Sequence, residues 1–309
     1  MELTGLTVKN YGIFNDIRLN KLAKMIMVHG NNGTGKTTLI RLFQFLKNCF
    51  TDGLKETCCY NKLHTYDEQG PITIDIKYQE AGKASVYHLV IGEQNNRPIV
   101  QREWLTQDGM GHVLDNKAGV GRCRTSSGKW QKFKFSSDDT LAVPVYGRLV
   151  FNPQVSSFYA WVGSWYIVDN EDSYQRYEVV ELLVQLERYY PDILLDIESK
   201  LVEMFPYMWV PLKDYSIAGA MDHATSGVLR AITCLLAISN PTIVGMLVVD
   251  SIDSCLDAGA RNKLIQYFYK SNSQVITTSH YRLMWGVFTN VTLKELFYGC
   301  RHMRHPNVK

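Results

Sequence analysis

Met25-Ile26-Met27-Val28-His29-Gly30-Asn31-Asn32-Gly33-Thr34-Gly35-Lys36-Thr37-Thr38 is the stretch whose reading decides the fold. The unbroken apolar run Met25 to Val28 fits a strand buried on both faces. Gly30, Gly33 and Gly35 then interrupt regular structure, and from Lys36 to Asn48 the residues Leu39, Leu42, Phe43 and Leu46 recur at helical spacing. Gly30 to Thr37 satisfies G-x-x-x-x-G-K-[ST] in the strand-to-helix context that the pattern requires. Glycines let the backbone curl so that successive N–H groups and the positive end of the helix meet phosphate oxygens. Lys36 is therefore expected to reach the β- and γ-phosphates of a nucleotide, and the Thr37 hydroxyl to ligate Mg²⁺, which prefers oxygen donors. Gly30, Asn31, Asn32, Gly33, Thr34, Gly35, Lys36, Thr37 and Thr38 form the expected phosphate-binding set.

Outward from this loop, Leu3, Leu6 and Val8, then Ile13, Ile17 and Leu19, predict short strands ahead of it. Residues 71–152 change character. Period-two runs at Ile72-Ile74-Ile76-Tyr78, Val86-His88-Val90 and Trp130-Lys132-Lys134, separated by Gly, Asn and Asp turns, predict an antiparallel β region. Residues 173–204 turn helical, with Val179, Val180, Leu183 and Leu186 on one face and Pro191-Asp192 opening a second helix through Ile197 and Leu201. From Ser226 the chain reads helix, strand (Ile243–Val249), helix (Ala260–Tyr269), strand (Gln274–Thr278), the layering that covers a parallel sheet.

Composition narrows the class. The chain has 309 residues, 46% hydrophobic and 20% charged. Its apolar content excludes a disordered or collagen-like chain. No apolar run approaches the roughly 18 residues of a membrane span, and no signal peptide opens the sequence, so a cytoplasmic protein with no membrane partner is expected. Cysteines at 49, 58, 59, 123, 234, 255 and 300 lack metal-ligand spacing and read as reduced thiols. A net charge of +3 is too small to argue a nucleic-acid partner from the whole chain.

A phosphate loop of this kind needs a second strand ending in a carboxylate to hold the metal, and Met246-Leu-Val-Val-Asp250 supplies one. Here the arrangement resembles the ABC-type ATPases: Asp250-Ser-Ile-Asp-Ser-Cys-Leu-Asp257 is similar to their D-E-x-x-S-x-L-D pattern, with Ser254 and Asp257 in the D-loop. Where that family carries a glutamate to polarise the attacking water, this chain has Ser251, so the resemblance implies slow hydrolysis, with Asp253 a substitute two residues further on. Thr225-Ser226-Gly227 before a helix resembles the ABC signature, although Ser-Gly there is also an ordinary helix cap. Gln274-Val-Ile-Thr-Thr-Ser-His280 resembles the strand and switch histidine, giving His280 a γ-phosphate-sensing role.

The opening Leu3-Thr-Gly-Leu-Thr-Val-Lys-Asn-Tyr-Gly-Ile-Phe14, with Thr225-Ser-Gly-Val-Leu-Arg230 in the S-x-G-x-x-R form, resembles the RecF, SMC and OLD branch. That resemblance implies two copies sandwiching Mg-ATP, each loop facing the other copy's signature. No heptad run lies between Lys36 and Asp250, and little chain follows His280, so an SMC arm and an OLD nuclease domain are not expected. The expectation is an α/β fold: a single ABC-type P-loop domain over 1–309, with an inserted antiparallel β subdomain at 71–152 and a helical and signature region at 173–225. The resemblance implies a compact ATPase head of the kind found in bacterial anti-phage systems beside a separately encoded effector. A nucleotide-binding scaffold without turnover and a RecF-like repair ATPase are the other readings. Gln154, in Val150-Phe-Asn-Pro-Gln after an expected strand, is a candidate metal ligand or an ordinary loop residue.

From Arg97 to Lys134 eight basic residues face only Glu103, Asp108 and Asp115, with Trp104, Trp130, Phe133 and Phe135 interleaved. Basic side chains neutralise phosphates and exposed aromatics stack bases, so 97–134 is a candidate nucleic-acid surface. A solvated sheet face and a protein-docking surface are the alternatives.

Overall fold

The computed structural model describes residues 1–57, 70–169, 172–207, 212, 225–240, 245–280 and 289–292. The chain divides into two compact units, Met1–Ala23 with Gly30–Gly163 and Val291–Lys309, and Lys24–His29 with Ser164–Asn290.

In the first unit β1 (Glu2–Tyr11) and β2 (Phe14–Asn20) pair antiparallel. The remaining strands of this unit come after β3 (Met25–His29): β4 (Ile72–Glu80), β5 (Lys83–Gln94), β6 (Arg97–Gln107), β7 (Gly111–Lys117), β8 (Val120–Arg124) and β9 (Trp130–Lys134). They complete an eight-stranded sheet of order β2-β1-β4-β5-β6-β7-β8-β9. The β-rich segment therefore extends the sheet begun by the amino terminus, through antiparallel pairing of β1 with β4.

Helices α1 (Lys36–Thr51), α2 (Leu54–Thr57), α3 (Ala142–Arg148) and α4 (Pro153–Gly163) complete the unit. Its core is aromatic: Phe50 of α1 meets Tyr87 edge-on at 5.7 Å, and Tyr78 stacks on Phe158 of α4 at 4.9 Å. That cluster decides which face of β5 is buried. Tyr87, Leu89 and Ile91 point inward, and Val86, His88 and Val90 lie on the other face.

Two expectations are corrected here. Within 71–152, residues 142–148 form a helix, and the strand expected before Gln154 is a turn in which Val150 has φ +50°. The cause is remote in sequence. Glu103 of β6, fully buried, accepts from the backbone N–H groups of Ala142 at 2.6 Å and Val143 at 3.0 Å, supplying acceptors to the first turn of α3.

The second unit carries a sheet in which β10 (Tyr166–Val168), β11 (Met246–Val249), β12 (Gln274–Ser279) and β3 stand in that order. The pairs β10/β11, β11/β12 and β12/β3 are parallel. Helices α5 (Asp172–Tyr189), α6 (Pro191–Met204), α7 (Ser226–Ser239) and α8 (Ala258–Lys270) belong to this unit. Every residue from Gly227 to Ala237 is buried, as expected of a helix packed on all sides. Val179, Leu183 and Leu186 of α5 and Ile197 and Leu201 of α6 join the same core, as their spacing predicts. Residues 213–224 of the expected signature region lie outside the described residues. Cys49, Cys123, Cys234 and Cys255 are free thiols among the described residues, and no described helix is long and apolar enough to cross a membrane.

Burial raises the Glu103 pKa above its ordinary value, against the opposing hydrogen bonds from Ala142, Val143, Asn116 and Tyr87. A carboxyl whose folded pKa is raised contributes stability below its unfolded pKa and loses it as pH rises through the folded value. The melting temperature of wild type relative to Glu103→Gln should therefore fall as pH is raised from the ordinary glutamate range toward neutrality. A difference that grows in wild type's favour over that range would contradict this balance.

Candidate nucleotide site

The loop between β3 and α1 has the backbone that its glycines permit. Gly33 and Gly35 adopt φ +77° and +99°. A Cβ at Gly33 would meet nothing within 4 Å, whereas one at Gly35 would strike Phe14 at 2.6 Å and Ile13 at 2.7 Å, the turn between β1 and β2. Gly35 is thus required both by its left-handed φ and by the apolar turn packed against it. Lys36 is only 6% exposed and its Nζ donates to the carbonyls of Gly30 at 2.6 Å and Asn31 at 3.0 Å, holding the ammonium inside the curl. Thr34 Oγ1 donates to Asn31 O at 2.8 Å, and Thr37 is exposed at the first turn of α1 beside half-buried Thr38.

In the second unit the parallel register brings three strand ends to one edge. Val249 pairs with Thr277, and Ser279 pairs with His29. Asp250 follows β11, His280 follows β12, and the glycine loop begins one residue after His29 at the end of β3. The carboxyl edge of such a sheet is where ligands of open α/β folds bind.

Asp250 is 2% exposed, and its Oδ1 accepts from Thr278 Oγ1 at 2.6 Å and from Ser251 Oγ at 3.4 Å. Thr278 Oγ1 in turn accepts from Ser251 N at 2.7 Å. Arg230 of α7 donates to the carbonyls of Asp250 at 2.6 Å and Ser251 at 3.3 Å, and to that of Asp169 at 3.4 Å. Arg230 and Thr278 thereby hold the end of β11. The sequence reading gave neither a role, although Arg230 is the arginine of the S-x-G-x-x-R form and Thr278 sits one strand over from the acid.

Thr225 Oγ1 accepts from Val228 N at 3.5 Å, so it caps α7, and Asp257 Oδ1 accepts from Ala260 N at 2.9 Å, so it caps α8. Ser226 is half-buried at the first turn of α7 and Ser254 is half-buried in the segment after Asp250. A Cβ on Gly227 would collide with the Cys255 carbonyl oxygen, so the signature-like segment and the D-loop-like segment lie in contact. His280 is exposed and its backbone N donates to Asp253 Oδ2 at 3.0 Å. Gln154, in the first unit, sits in the first turn of α4, where its backbone N donates to Asn152 Oδ1 at 3.0 Å. The strand that suggested it as a metal ligand is absent, so that reading loses its basis.

The basic stretch is a folded surface. In the β8–β9 pair Arg122 faces Lys132, Arg124 faces Trp130 and Val120 faces Lys134, which puts Arg122, Arg124, Lys132 and Lys134 on one face. Lys129, Lys132 and Lys134 are exposed. The aromatics are engaged elsewhere: Arg122 and Arg124 lie 4.5 and 4.8 Å over Trp130, Phe133 packs on Phe135 and Tyr146, and Trp104 stacks on His88. A row of exposed basic side chains remains, but these rings are not open platforms for bases.

Thr278→Val keeps shape while removing the hydroxyl that serves both Asp250 and Ser251. It should cost about 1–3 kcal/mol in stability, the typical penalty for stranding buried polar groups, read by denaturant unfolding. An unchanged midpoint would mean that the network does not hold β11.

No protein-family model matches the chain, and no curated protein matches it. Among solved structures it is similar to an SMC head bound to the C-winged helix domain of ScpA, at 11% identity and TM-score 0.57, over 94% of each chain. It is also similar to the SMC head domain from Thermotoga maritima, at 13% identity and TM-score 0.50, again over 94% of each. The α/β fold of this chain is that of the SMC head domains.

Proposed function

We propose that the protein is an ABC-type ATPase head that binds Mg-ATP, dimerises around it and turns it over slowly, with residues 1–309 acting as one ATPase domain. The carrying observation is the shared carboxyl edge, where Asp250, His280 and the strand feeding the glycine loop end side by side. The residues present suit the ligand. The space beside Gly33 is open, Lys36 holds its ammonium inside the loop, and Thr37 and Asp250 offer the oxygen donors that Mg²⁺ prefers. Lys36 neutralises the β- and γ-phosphates, Asp250 and Thr37 hold the metal, and His280 senses the γ-phosphate. Bound Mg²⁺ would supply charge neutralisation along the phosphates.

Thr225, Ser226 and Gly227, with Ser254 and Asp257 on the adjoining segment, form the face offered to a second copy. The SMC head on ScpA is one relative that meets a partner protein. For this chain we infer a separately encoded effector and a role as sensor or scaffold of an anti-phage defence complex, which co-purification with the products of neighbouring genes would test. Ser251, whose hydroxyl turns toward Asp250, favours slow turnover and is equally compatible with a scaffold that only holds ATP.

Lys36→Ala should abolish tight ATP binding in titration calorimetry, because charge-assisted hydrogen bonds are worth about 1.5–3 kcal/mol apiece. Wild-type affinity in that variant would contradict the assignment. A substitution at Gly227 cannot test the dimer cleanly, since any side chain there displaces Cys255 within the same subunit. Ser226→Arg should leave ATP affinity intact while removing an ATP-induced mass increase in light scattering.

A second reading, nucleic-acid binding, is favoured by the solvent-facing row on β8 and β9. Charge reversal at Lys129, Lys132 and Lys134 should weaken DNA or RNA binding and flatten its salt dependence. Absence of binding by wild type at low salt would leave the row a solvated sheet face.

A further inference from the structure

The eight-stranded sheet of the first unit ends on β9, and the register of that strand fixes what it offers. Phe135 N donates to Gly119 O and Thr125 N to Lys129 O, each at 2.8 Å. Hydrogen-bonded pairs alternate along an antiparallel ladder, so between these two the pairs Gly121–Phe133 and Cys123–Gln131 turn their backbone groups toward one another. The N–H and C=O groups of Trp130, Lys132 and Lys134 then point the other way, along the margin of the sheet. Gln131, Lys132 and Lys134 are exposed there.

The two faces that meet at this margin differ. On one, cross-strand pairing sets Arg122 beside Lys132, and Val120 beside both Lys134 and Lys117 of β7. Arg122 and Arg124 lie 4.5 and 4.8 Å over the Trp130 ring, and Arg124 Nε donates to His112 O at 2.9 Å, so these cations are held on paired strands. Asp115, also on this face, is engaged by Arg102 at 2.7 Å. On the other face Phe133 stacks on Phe135 at 4.7 Å and lies 5.2 Å from the Tyr146 ring of α3, and both phenylalanines are half-buried.

A ligand matched to this margin presents backbone donors and acceptors at strand spacing, negative charge on one side and apolar groups on the other. Nucleic acid brings the charge without the amide pattern. A second copy joined through β9 would set Lys132 and Lys134 against the same lysines, and like charges across a strand pair are destabilising. An extended acidic segment of another protein meets every requirement.

We propose that β9 is a docking edge for an extended segment of a partner protein in which acidic and apolar residues alternate. The segment adds to the sheet as a further strand. Its main chain bonds to Trp130, Lys132 and Lys134, its carboxylates face Arg122 and the two lysines, and its apolar side chains extend the Phe133–Phe135 cluster. The inference is independent of the ATPase reading, and it gives the basic row a protein ligand instead of a nucleic acid.

The probe is a synthetic peptide of alternating glutamate and valine, about ten residues long to match a strand, titrated onto the protein by calorimetry. It should bind at low salt and lose affinity as salt rises. Two further peptides, N-methylated at every glutamate or at every valine, keep each side chain while blocking the donors of one margin only. The one blocked on the margin facing β9 should bind about tenfold more weakly or worse, and the other should match the parent. Lys132→Glu combined with Lys134→Glu, with its melting temperature measured, should weaken the parent peptide by about tenfold. The methylated peptides test the wild-type protein and so decide the matter even if that variant fails to fold. Equal affinity of all three peptides, or unchanged affinity in a folded lysine variant, would overturn the proposal. So would absence of peptide binding at low salt, and an oligonucleotide that binds where the peptide does not would return the row to nucleic acid.

Discussion

A carboxylate kept almost out of water at the end of a buried strand is the constraint on which the second unit depends. Asp250 follows the fully buried run Met246–Val249, where a charged group is costly unless hydrogen-bonded. Thr278 donates to it from the neighbouring strand, and Arg230 fastens the carbonyls on either side of the turn. A guanidinium suits this task because its fixed fork of donors reaches several carbonyls at once, which a lysine ammonium does less well. With β11 anchored in this way, the residues after it leave the sheet through a positive-φ serine, and the segment from Asp253 to Asp257 is aimed at His280 on one side and at α7 on the other.

Local patterns carried much of this architecture. The apolar run Met25–Val28, the glycine loop and the helix after Lys36 are a strand, a loop and a helix, because each depends on neighbours in sequence. Alternation in Ile72–Tyr78 read correctly for the same reason. Non-local contacts produced the differences. Residues 142–148 became helical because Glu103, distant in sequence, caps their amides, and the strand expected before Gln154 is a turn. That Asp250 and Ser251 would follow one buried strand and His280 another was legible from their order along the chain. Thr278 and Arg230 were not, since their work is done by hydrogen bonds across strands and from helix to turn.

The two acids that the D-loop pattern leaves ambiguous are separated by structure. Asp257 caps a helix, as a residue before an apolar helical run commonly does. Asp253 holds a backbone amide with one oxygen and has the other buried without a described donor.

The central claim is that the loop at Lys36 and the acid at Asp250 serve one Mg-ATP. A double-mutant cycle on ATP affinity, measured with and without Mg²⁺ for wild type, Thr37→Val, Asp250→Asn and the double variant, tests it most directly. Either substitution should remove the Mg²⁺ dependence, and the double variant should be no weaker than the weaker single one. Additive losses, with Mg²⁺ dependence persisting in either single variant, would contradict it.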